Sequence, residues 1–359
     1  MGCASSSGEA IKVKEDEKPT ENIKKIKSLG KGNFGEVFLI KTNLDKKKRP
    51  LKEIAINNKN IDLIMNEGDN LKKLDHPNII LYKSVFISKN KLNIITEYAE
   101  NGDLNNELLK HKEQNKYFEE NQLLNWLVQI CLSLQYIHEK RIVHSDLKPT
   151  NIFLTKKNNI KLGDFGIFKR IENFEEEKLY GAPELIKKNE YTTKTDIWSL
   201  GVIFCHLVNL VYPFEGKDKD EIYKNITKGV KNNYNEDVLK KYSKEFLDLI
   251  DEMMSLDPKK RPSAEEILKK KISKKRMDEY LKENDFDDKK NNEANADIQQ
   301  YTNKNLKMKE SIFIIDDDFK IDEGDDKKEE KEESQNIDDK DNYDFIRQMS
   351  MIYDQNKKK

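Results

Sequence analysis

Apolar and polar positions in the first third of the chain alternate as they do in half-buried β-strands. The clearest strand-like stretches run from Leu29 to Ile40 and from Leu92 to Glu97. Farther along, apolar residues recur at helical spacing, most regularly between Gln122 and Glu139. A strand-rich beginning followed by a helix-rich remainder predicts an α+β protein between about Ile23 and Leu281, with a small β-rich lobe and a larger helical lobe.

The two ends of the chain lack such periodicity. Residues 1–22 are small, polar and mixed in charge, and we expect a flexible arm there. Residues 282–359 are acidic and lysine-rich, and such a segment buries too little apolar surface to offset the entropy lost on ordering, so most of it should be disordered. Near the end of this tail, Phe345, Met349 and Ile352 recur at helical spacing. They predict either an amphipathic helix that docks on a surface or a transient helix without a partner.

Charge and cysteine content exclude several classes of protein. Charged residues make up 37% of the chain, yet its formal net charge is -1, which argues against nucleic-acid binding because that needs a strongly basic surface. The cysteines show neither disulfide nor zinc-site spacing, which favours a reducing, cytoplasmic compartment. The longest apolar stretch, from Ile197 to Tyr212, is too short and too polar to span a bilayer and predicts a buried core helix.

A glycine-rich stretch lies between strand-like segments. Gly30, Gly32, Gly35 and Val37 form the pattern G-x-G-x-x-G-x-V. Glycines let a backbone close over phosphate groups, where a Cβ atom would collide. Dinucleotide-binding folds use a similar pattern but open a helix directly after it, whereas here a strand-like stretch continues from Val37. The pattern favours a β-hairpin over phosphates, and a purely structural turn is the alternative.

Lys52 and Glu67 follow the glycines at positions that suit a phosphate site. Lys52 lies in a strand-like segment, where its amine can reach the α- and β-phosphates of a nucleotide. Glu67 lies in a helical segment from about Ile61 to Leu74 and can pair with that amine. Either residue alone would ordinarily be a solvated surface charge. Gly68 lowers the stability of this helix by about 1 kcal/mol relative to alanine, so the helix should be loosely held.

Residues 144–151 read HSDLKPTN and carry a second group of chemically suited side chains. Asp146 can accept a proton, Lys148 can steady a transferred phosphate, and Asn151 can ligate a metal. Asp164 follows in an Asp-Phe-Gly tripeptide, where its carboxylate is well placed for Mg²⁺. Together these groups suit phosphoryl transfer, which depends mostly on positioning and on charge stabilisation.

This ordered set of motifs resembles the eukaryotic protein kinase family over about Ile23 to Leu281. The later motifs of the set are Ala182-Pro-Glu184, Asp196-Ile-Trp-Ser-Leu-Gly201 and Asp257-Pro-Lys-Lys-Arg-Pro262. Lys148 is typical of the serine/threonine branch. The stretches around Asn151 and Asp164 are also similar to NIMA-related kinases.

The resemblance implies a role for each matching residue. The implied catalytic residues are Asp146, Lys148, Lys52 and Glu67, and the implied ligands of Mg²⁺ are Asn151 and Asp164. The residues implied to contact ATP are Gly30, Lys31, Gly32, Asn33, Phe34, Gly35, Val37, Lys52, Thr96, Glu97, Ala99 and Asp103. Of these, Thr96 would gate the pocket behind adenine. Further implied features are a buried Glu184–Arg261 ion pair and an internal stack of Leu71, Tyr82, His144 and Phe165.

Three residues depart from the family pattern. Pro50 removes a backbone donor from an expected central strand, which could weaken ATP binding. Glu177 stands where serine/threonine kinases usually place a threonine. Ser145 replaces the arginine that meets an activation-loop phosphate in relatives, and no Ser or Thr lies between Gly166 and Ala182. The sequence thus lacks both the arginine that would bind a loop phosphate and a loop Ser or Thr that would carry one. We therefore expect activity without activation-loop phosphorylation.

Two functions remain open from the sequence. The first is an active serine/threonine kinase that uses ATP and Mg²⁺ on protein substrates. The second is a pseudokinase that acts as a membrane-anchored binding or scaffold protein, a reading that Pro50 and Glu177 keep open. Thr150 and His206 stand where arginine-directed relatives carry acids, so substrates should need no arginine before the target residue. Oligomeric state is not indicated.

The first residues, Met-Gly-Cys-Ala-Ser-Ser, fit the signal for N-terminal myristoylation of Gly2. One myristoyl chain binds membranes only marginally, and Cys3 is suitably placed for a second chain by palmitoylation. We therefore expect dual acylation and a membrane-associated pool on the cytoplasmic face. An unmodified flexible arm is the alternative.

Overall fold

The computed structural model describes residues 23–32, 35–42, 47–56, 68–88, 90–165 and 178–283. The first lobe is built on an antiparallel sheet with the strand order β1-β2-β3-β5-β4. Its strands are β1 (Ile23–Gly32), β2 (Gly35–Thr42), β3 (Lys48–Ala55), β4 (Tyr82–Ser88) and β5 (Lys91–Thr96). The strand predicted from Leu92 to Glu97 is confirmed as β5. The stretch from Leu29 to Ile40 contains parts of two strands, which meet where Gly32 pairs with Gly35.

Alternation along the strands gives this sheet two apolar faces, because successive side chains point to opposite sides. One face holds a separate cluster made of Ile23, Ile40, Leu51, Phe86 and Ile95. The other face contributes Ile54, Val85, Leu92 and Ile94 to the large core that continues into the helical lobe. The sheet is thus fixed to the rest of the protein on the side where Lys52 lies.

Pro50 does not interrupt the middle of the sheet. It pairs with Leu39 of β2, and the pairing of β3 with β5 begins one residue later, at Leu51 and Ile95. At Pro50 the strand therefore has a neighbour on one side, which is where sheets tolerate proline. Pro50 therefore leaves no pairing with β5 unmade, and its expected effect on ATP binding stays a prediction.

The helical lobe follows β5. Its helices are α1 (Leu104–Glu113), α2 (Glu120–Glu139), α3 (Pro183–Lys188), α4 (Thr193–Asn209), α5 (Lys219–Lys228), α6 (Glu236–Lys241), α7 (Lys244–Met253), α8 (Ala264–Lys269) and α9 (Lys271–Glu283). Between α2 and α3, strands β6 (Ile152–Leu154) and β7 (Ile160–Leu162) form an antiparallel pair. The helix predicted from Gln122 to Glu139 is confirmed as α2.

The apolar stretch that begins at Ile197 is the centre of the helical lobe. It lies in α4, where Ile197, Leu200 and Phe204 are fully buried, so the prediction of a buried core helix is confirmed. Thr192 and Thr195 form a capping box at the start of α4, which satisfies backbone groups that the helix itself leaves unpaired. Among the described residues, no helix is both long and apolar enough to cross a membrane.

The implied Glu184–Arg261 ion pair is present and buried. The guanidinium of Arg261 donates to both carboxylate oxygens of Glu184, at 2.6 and 2.9 Å, and 1% of the arginine is exposed. Arg261 also donates to the carbonyl oxygens of Lys194 and Ser255. These bonds hold the start of α3 against the turn that precedes α8, which fixes one wall of the helical lobe.

Several sequence predictions fall outside the described residues. They concern the arm at 1–22 with Gly2 and Cys3, the site residues Asn33, Phe34 and Glu67, the departure at Glu177, and residues 284–359 of the tail. The last described helix, α9, ends at Glu283, two residues after the predicted end of the folded domain at Leu281.

Candidate active site

The glycine pattern forms the hairpin end of β1 and β2. A Cβ atom on Gly35 would overlap the carbonyl oxygen of Glu53 in β3, so this glycine permits the close approach of β2 to β3. A Cβ atom on Gly30 would meet nothing within 4 Å. Val37 pairs with Lys52 across β2 and β3, which sets the lysine under the hairpin. The hairpin reading of the glycines is therefore confirmed, while Lys31 is exposed on it.

Lys52 and Asp164 meet between the two lobes. The Nζ atom of Lys52 lies 2.6 Å from each carboxylate oxygen of Asp164. Lys52 comes from β3, whereas Asp164 follows β7 by two residues, so tertiary folding brings them together. The two groups implied to hold phosphates and metal thus lie at one point. The implied partner of Lys52, Glu67, lies outside the described residues.

Asn151 links Asp146 to Asp164. Its Nδ2 atom donates to the backbone oxygen and to Oδ2 of Asp146, both at 2.7 Å, and lies 3.4 Å from the backbone oxygen of Asp164. These contacts leave Oδ1 as the atom of the amide that suits a metal. The Nζ atom of Lys148 lies 3.5 Å from Oδ1 of Asp146. Asp146, Lys148, Asn151 and Asp164 are therefore neighbours around one cleft.

The loop that carries Asp146 is held by hydrogen bonds to Asp196 of α4. The carboxylate of Asp196 accepts the backbone N–H of Ser145 and of His144, each at 2.9 Å, and lies 2.8 Å from Nε2 of His138. Because Asp196 is 1% exposed, these partners offset the cost of burying its carboxylate. Sequence reasoning noted Asp196 only as part of a motif and missed His138, since no local pattern links two helices.

Ser145 adopts a left-handed backbone conformation, with φ 65. Such a conformation costs a residue other than glycine about 1–3 kcal/mol and persists where surrounding bonds impose it. Here the amide of Ser145 is held by Asp196, and its Oγ donates to the carbonyl oxygen of His144 at 2.6 Å. The serine side chain is therefore engaged within the loop.

The implied internal stack is present. The rings of His144 and Phe165 stack with centroids 4.6 Å apart, and Tyr82 meets Phe165 edge-on at 6.3 Å. Nε2 of His144 lies 3.0 Å from the carbonyl oxygen of Gly163, so that nitrogen carries the proton, and burial lowers the pKa of His144. Leu71 is fully buried in the same core.

Tyr82 adds a polar group to this stack that sequence reasoning missed. Burial raises the pKa of its hydroxyl, and the nearby charge of Asp164 adds to the rise. Hydrogen bonds with the backbone of Phe165 and Asp164 oppose it. A tyrosine in a row of apolar positions was the available signal, because a buried tyrosine hydroxyl needs a polar partner.

The segment that joins the lobes contains the residues implied to contact adenine and ribose. Thr96 ends β5, and Ala99 is 8% exposed. The carboxylate of Glu97 accepts the backbone N–H of Leu81 at 3.0 Å and lies 2.7 Å from Nζ of Lys161. The side chain of Glu97 therefore secures the hinge to β7, and its backbone is the part suited to adenine.

Asp103 caps the first helix after the hinge. Its Oδ1 accepts the backbone N–H of Asn106 at 2.8 Å, and its Oδ2 accepts the side-chain amide of Asn106 at 3.2 Å. Burial raises the pKa of this carboxyl, although the hydrogen bonds oppose the rise. The sequence prediction gave Asp103 only a ribose or peptide role. The structure adds a capping role, which an Asp directly before an apolar helix start signals.

Comparison with known proteins agrees with this arrangement. A family model described as a protein kinase domain matches residues 23–272, and the chain therefore belongs to the protein kinase family. Among curated relatives, it is 40% identical to "Probable serine/threonine-protein kinase nek3" of Dictyostelium discoideum over 69% of the chain. It is 33% identical to mouse "Serine/threonine-protein kinase Nek1" over 73% of the chain.

These relatives are longer proteins. The matched regions cover 23% of the Dictyostelium protein, 22% of mouse Nek1 and 39% of human Nek11, to which the chain is 36% identical over 67% of its length. The resemblance to NIMA-related kinases is confirmed for the kinase domain. The bilobal α+β fold is likewise confirmed for the described residues.

Proposed function

We propose that this protein is an ATP-dependent serine/threonine protein kinase that transfers the γ-phosphate of ATP to Ser or Thr of protein substrates. The observation that carries the proposal is the junction of Lys52, Asp164, Asn151 and Asp146, joined by contacts of 2.6–3.4 Å across both lobes. A protein that neither bound ATP nor transferred phosphate would not need these four side chains in one place. Membership of the kinase family supports the same conclusion.

The donor set fits ATP with Mg²⁺. Asp164 offers carboxylate oxygens and Asn151 an amide oxygen, the ligand type that Mg²⁺ prefers, usually alongside substrate phosphates. Bound there, Mg²⁺ would neutralise charge on the β- and γ-phosphates. In this proposal the Lys52 amine binds the α- and β-phosphates, and the glycine hairpin of Gly30, Gly32 and Gly35 covers them.

In the proposed reaction, Asp146 holds the substrate hydroxyl and accepts its proton, while Lys148 steadies the phosphate as it moves. The hydrogen bond from Nδ2 of Asn151 holds one carboxylate oxygen of Asp146 in place. Asp196 holds the loop rigid through the amides of His144 and Ser145. Positioning of this kind supplies most of the rate in phosphoryl transfer.

The decisive test compares the wild type with Asp146→Asn in phosphate transfer from labelled ATP to a generic protein acceptor. The variant should lose about 10²- to 10⁴-fold in turnover, the usual contribution of a general base, and should still bind ATP with Mg²⁺. Equal transfer by both proteins would contradict the assigned role of Asp146. No transfer by either, with ATP still bound, would point to the pseudokinase alternative.

Control of this activity is proposed to be independent of activation-loop phosphorylation. Serine carries no positive charge, so position 145 offers no cation to a phosphate, and the Ser145 hydroxyl already donates to the carbonyl oxygen of His144. Protein made in bacteria should keep its specific activity after phosphatase treatment, and Ser145→Arg should not raise it. A large fall after phosphatase would mean that a phosphorylated residue supports activity, with Tyr180 the first to examine.

Substrate selection is proposed not to require arginine before the target residue. His206 is 3% exposed and lies 3.0 Å from the hydroxyl of Tyr180, and Thr150 is exposed but carries no charge. Neither residue attracts a guanidinium. A peptide library should therefore show no arginine preference at upstream positions. A profile dominated by arginine there would refute this proposal.

We also propose that Gly2 is myristoylated and Cys3 palmitoylated, which would give a membrane-associated pool on the cytoplasmic face. The N-terminal sequence supports this, and two chains are needed for stable attachment. In cells, Gly2→Ala should move the protein from the membrane fraction to the soluble fraction, and Cys3→Ser should do so in part. An unchanged membrane fraction in Gly2→Ala would refute the acylation proposal.

A further inference from the structure

Helix α9 lies almost wholly beyond the part of the chain that matches the kinase family model, which ends at residue 272. It packs against α2, and Arg276 fixes it there. The guanidinium of Arg276 donates to Oδ1 of Asn125 in α2 at 3.1 and 3.2 Å, and to Glu283 about two turns farther along α9. The last part of α9 is thereby held in register on the helical lobe.

Tyr280 is the residue through which α9 reaches the segment before β4. It is 4% exposed, and its hydroxyl donates to Oδ1 of Asn78 at 3.2 Å. Asn78 is 1% exposed, and both its side-chain oxygen and its side-chain nitrogen form hydrogen bonds. Its Nδ2 donates to Gln129 at 3.0 Å and to the carbonyl oxygen of Ile160 at 3.1 Å.

The backbone next to Asn78 continues this connection to β7. The carbonyl oxygen of Asn78 accepts the N–H of Leu162, and the carbonyl oxygen of Leu162 accepts the N–H of Ile80, both at 2.8 Å. A Cβ atom on Gly163 would lie 2.9 Å from the side chain of Ile80, so Gly163 permits this close contact. Asp164 is the next residue. The position of Asp164 therefore depends on residues 78–80. Tyr280 contacts this segment through the side chain of Asn78.

We propose that Tyr280 is a positioning residue for Asp164. Its hydroxyl fixes the Asn78 amide, and Asn78 fixes Leu162, two residues before the proposed metal ligand. Without the hydroxyl, Oδ1 of Asn78 loses this donor inside a site closed to water, and the whole bonded segment loosens. The role of Asp164 in holding Mg²⁺ rests on the proposed function, whereas the coupling from Tyr280 to Leu162 does not.

The test compares Tyr280→Phe with the matched control Tyr242→Phe, both in the full chain. Tyr242 is 3% exposed, and its hydroxyl donates to the carbonyl oxygen of Phe118 at 3.0 Å. The described hydrogen-bond partners of Asn78 include neither Tyr242 nor Phe118. Each variant loses one buried hydroxyl and the hydrogen bond that this hydroxyl donates, to Asn78 in Tyr280→Phe and to Phe118 in Tyr242→Phe. The first measurement is amide hydrogen exchange of Ile80 and Leu162 without nucleotide.

Loss of one hydrogen bond should speed exchange at these two amides about two- to tenfold in Tyr280→Phe. Tyr242→Phe should leave them unchanged even if its melting temperature falls equally. The second measurement is the dissociation constant for ATP at limiting Mg²⁺, which should rise by a similar factor in Tyr280→Phe alone. Arg276→Ala keeps the Tyr280 hydroxyl but removes the bonds that hold α9 on α2. It should also raise the exchange rates at Ile80 and Leu162 and the dissociation constant for ATP.

Equal exchange at Ile80 and Leu162 in both tyrosine variants would overturn the coupling and leave Tyr280 a packing residue. Faster exchange with unchanged Mg²⁺ dependence would overturn the positioning of Asp164. Absence of ATP binding in the wild type would instead refute the proposed function, and the exchange result would still decide the coupling. The outcomes for the two proposals are therefore separable.

Discussion

The imidazole of His206 lies in α4 with Nδ1 3.0 Å from the hydroxyl of Tyr180, and 3% of the residue is exposed. Burial, together with a smaller effect of the charge of Lys112, lowers the pKa of His206 to about 3. The folded state therefore holds this histidine neutral, whereas the unfolded chain protonates it below its ordinary pKa of 6.5. Between these two values the unfolded state binds more protons, so stability falls as the pH falls.

We predict that His206→Gln makes the free energy of unfolding less sensitive to acid. Glutamine can accept a hydrogen bond from the Tyr180 hydroxyl, and its side chain does not titrate. From pH 7 to pH 5, the wild type should lose about 2 kcal/mol more unfolding free energy than the variant. Urea unfolding at both pH values measures this. His76, whose pKa burial lowers to about 4, will keep part of the slope in both proteins. A difference of zero would mean that His206 is not held neutral.

At the scale of elements, the hairpin of β1 and β2 depends on a close approach to β3 at one glycine. Gly35→Ala should push β2 away from β3, because the new methyl group would overlap the carbonyl oxygen of Glu53. Overpacking of this kind costs about 1–3 kcal/mol. The variant should have a lower melting temperature and a weaker affinity for ATP, as measured by thermal unfolding and by nucleotide titration.

Gly30→Ala is the matched control for this prediction. Its backbone angle is close to that of Gly35, with φ 158 against 154, but the added methyl group would meet nothing within 4 Å. The two substitutions therefore differ mainly in the collision with β3. If Gly30→Ala lowered the melting temperature as much as Gly35→Ala, backbone conformation and not the contact with Glu53 would be the cause.

At the scale of the whole molecule, the folded unit extends past the end of the family match. Ser273 and Tyr280 of α9 are buried, and Arg276 bonds to α2. A fragment of residues 23–270, which lacks α9, should therefore melt at a temperature at least about 5 °C below that of a fragment of residues 23–283. Scanning calorimetry of both fragments measures this. Equal melting of the two fragments would show that α9 contributes no stability.

Much of this protein was predictable from sequence because its signals are local. The period of apolar residues predicted α2, the long apolar stretch from Ile197 predicted the buried helix α4, and the glycine pattern with the strand-like residues after it predicted the hairpin between β1 and β2. The kinase motifs predicted that Lys52, Asp146, Asn151 and Asp164 would share one cleft, because each motif carries its residue at a fixed place in the fold. The hydrogen bonds that join these residues confirm the arrangement.

Tertiary structure alone decided the contacts between distant segments. The tolerance of Pro50 followed from where β5 begins to pair with β3, which no local pattern encodes. The same holds for the bond between Tyr280 and Asn78, whose residues lie far apart in the chain. Local propensity determines which element a stretch forms, but only close packing of all the elements determines which buried polar groups become partners. The sequence therefore determined the family and the site, and the folded structure determined how that site is held.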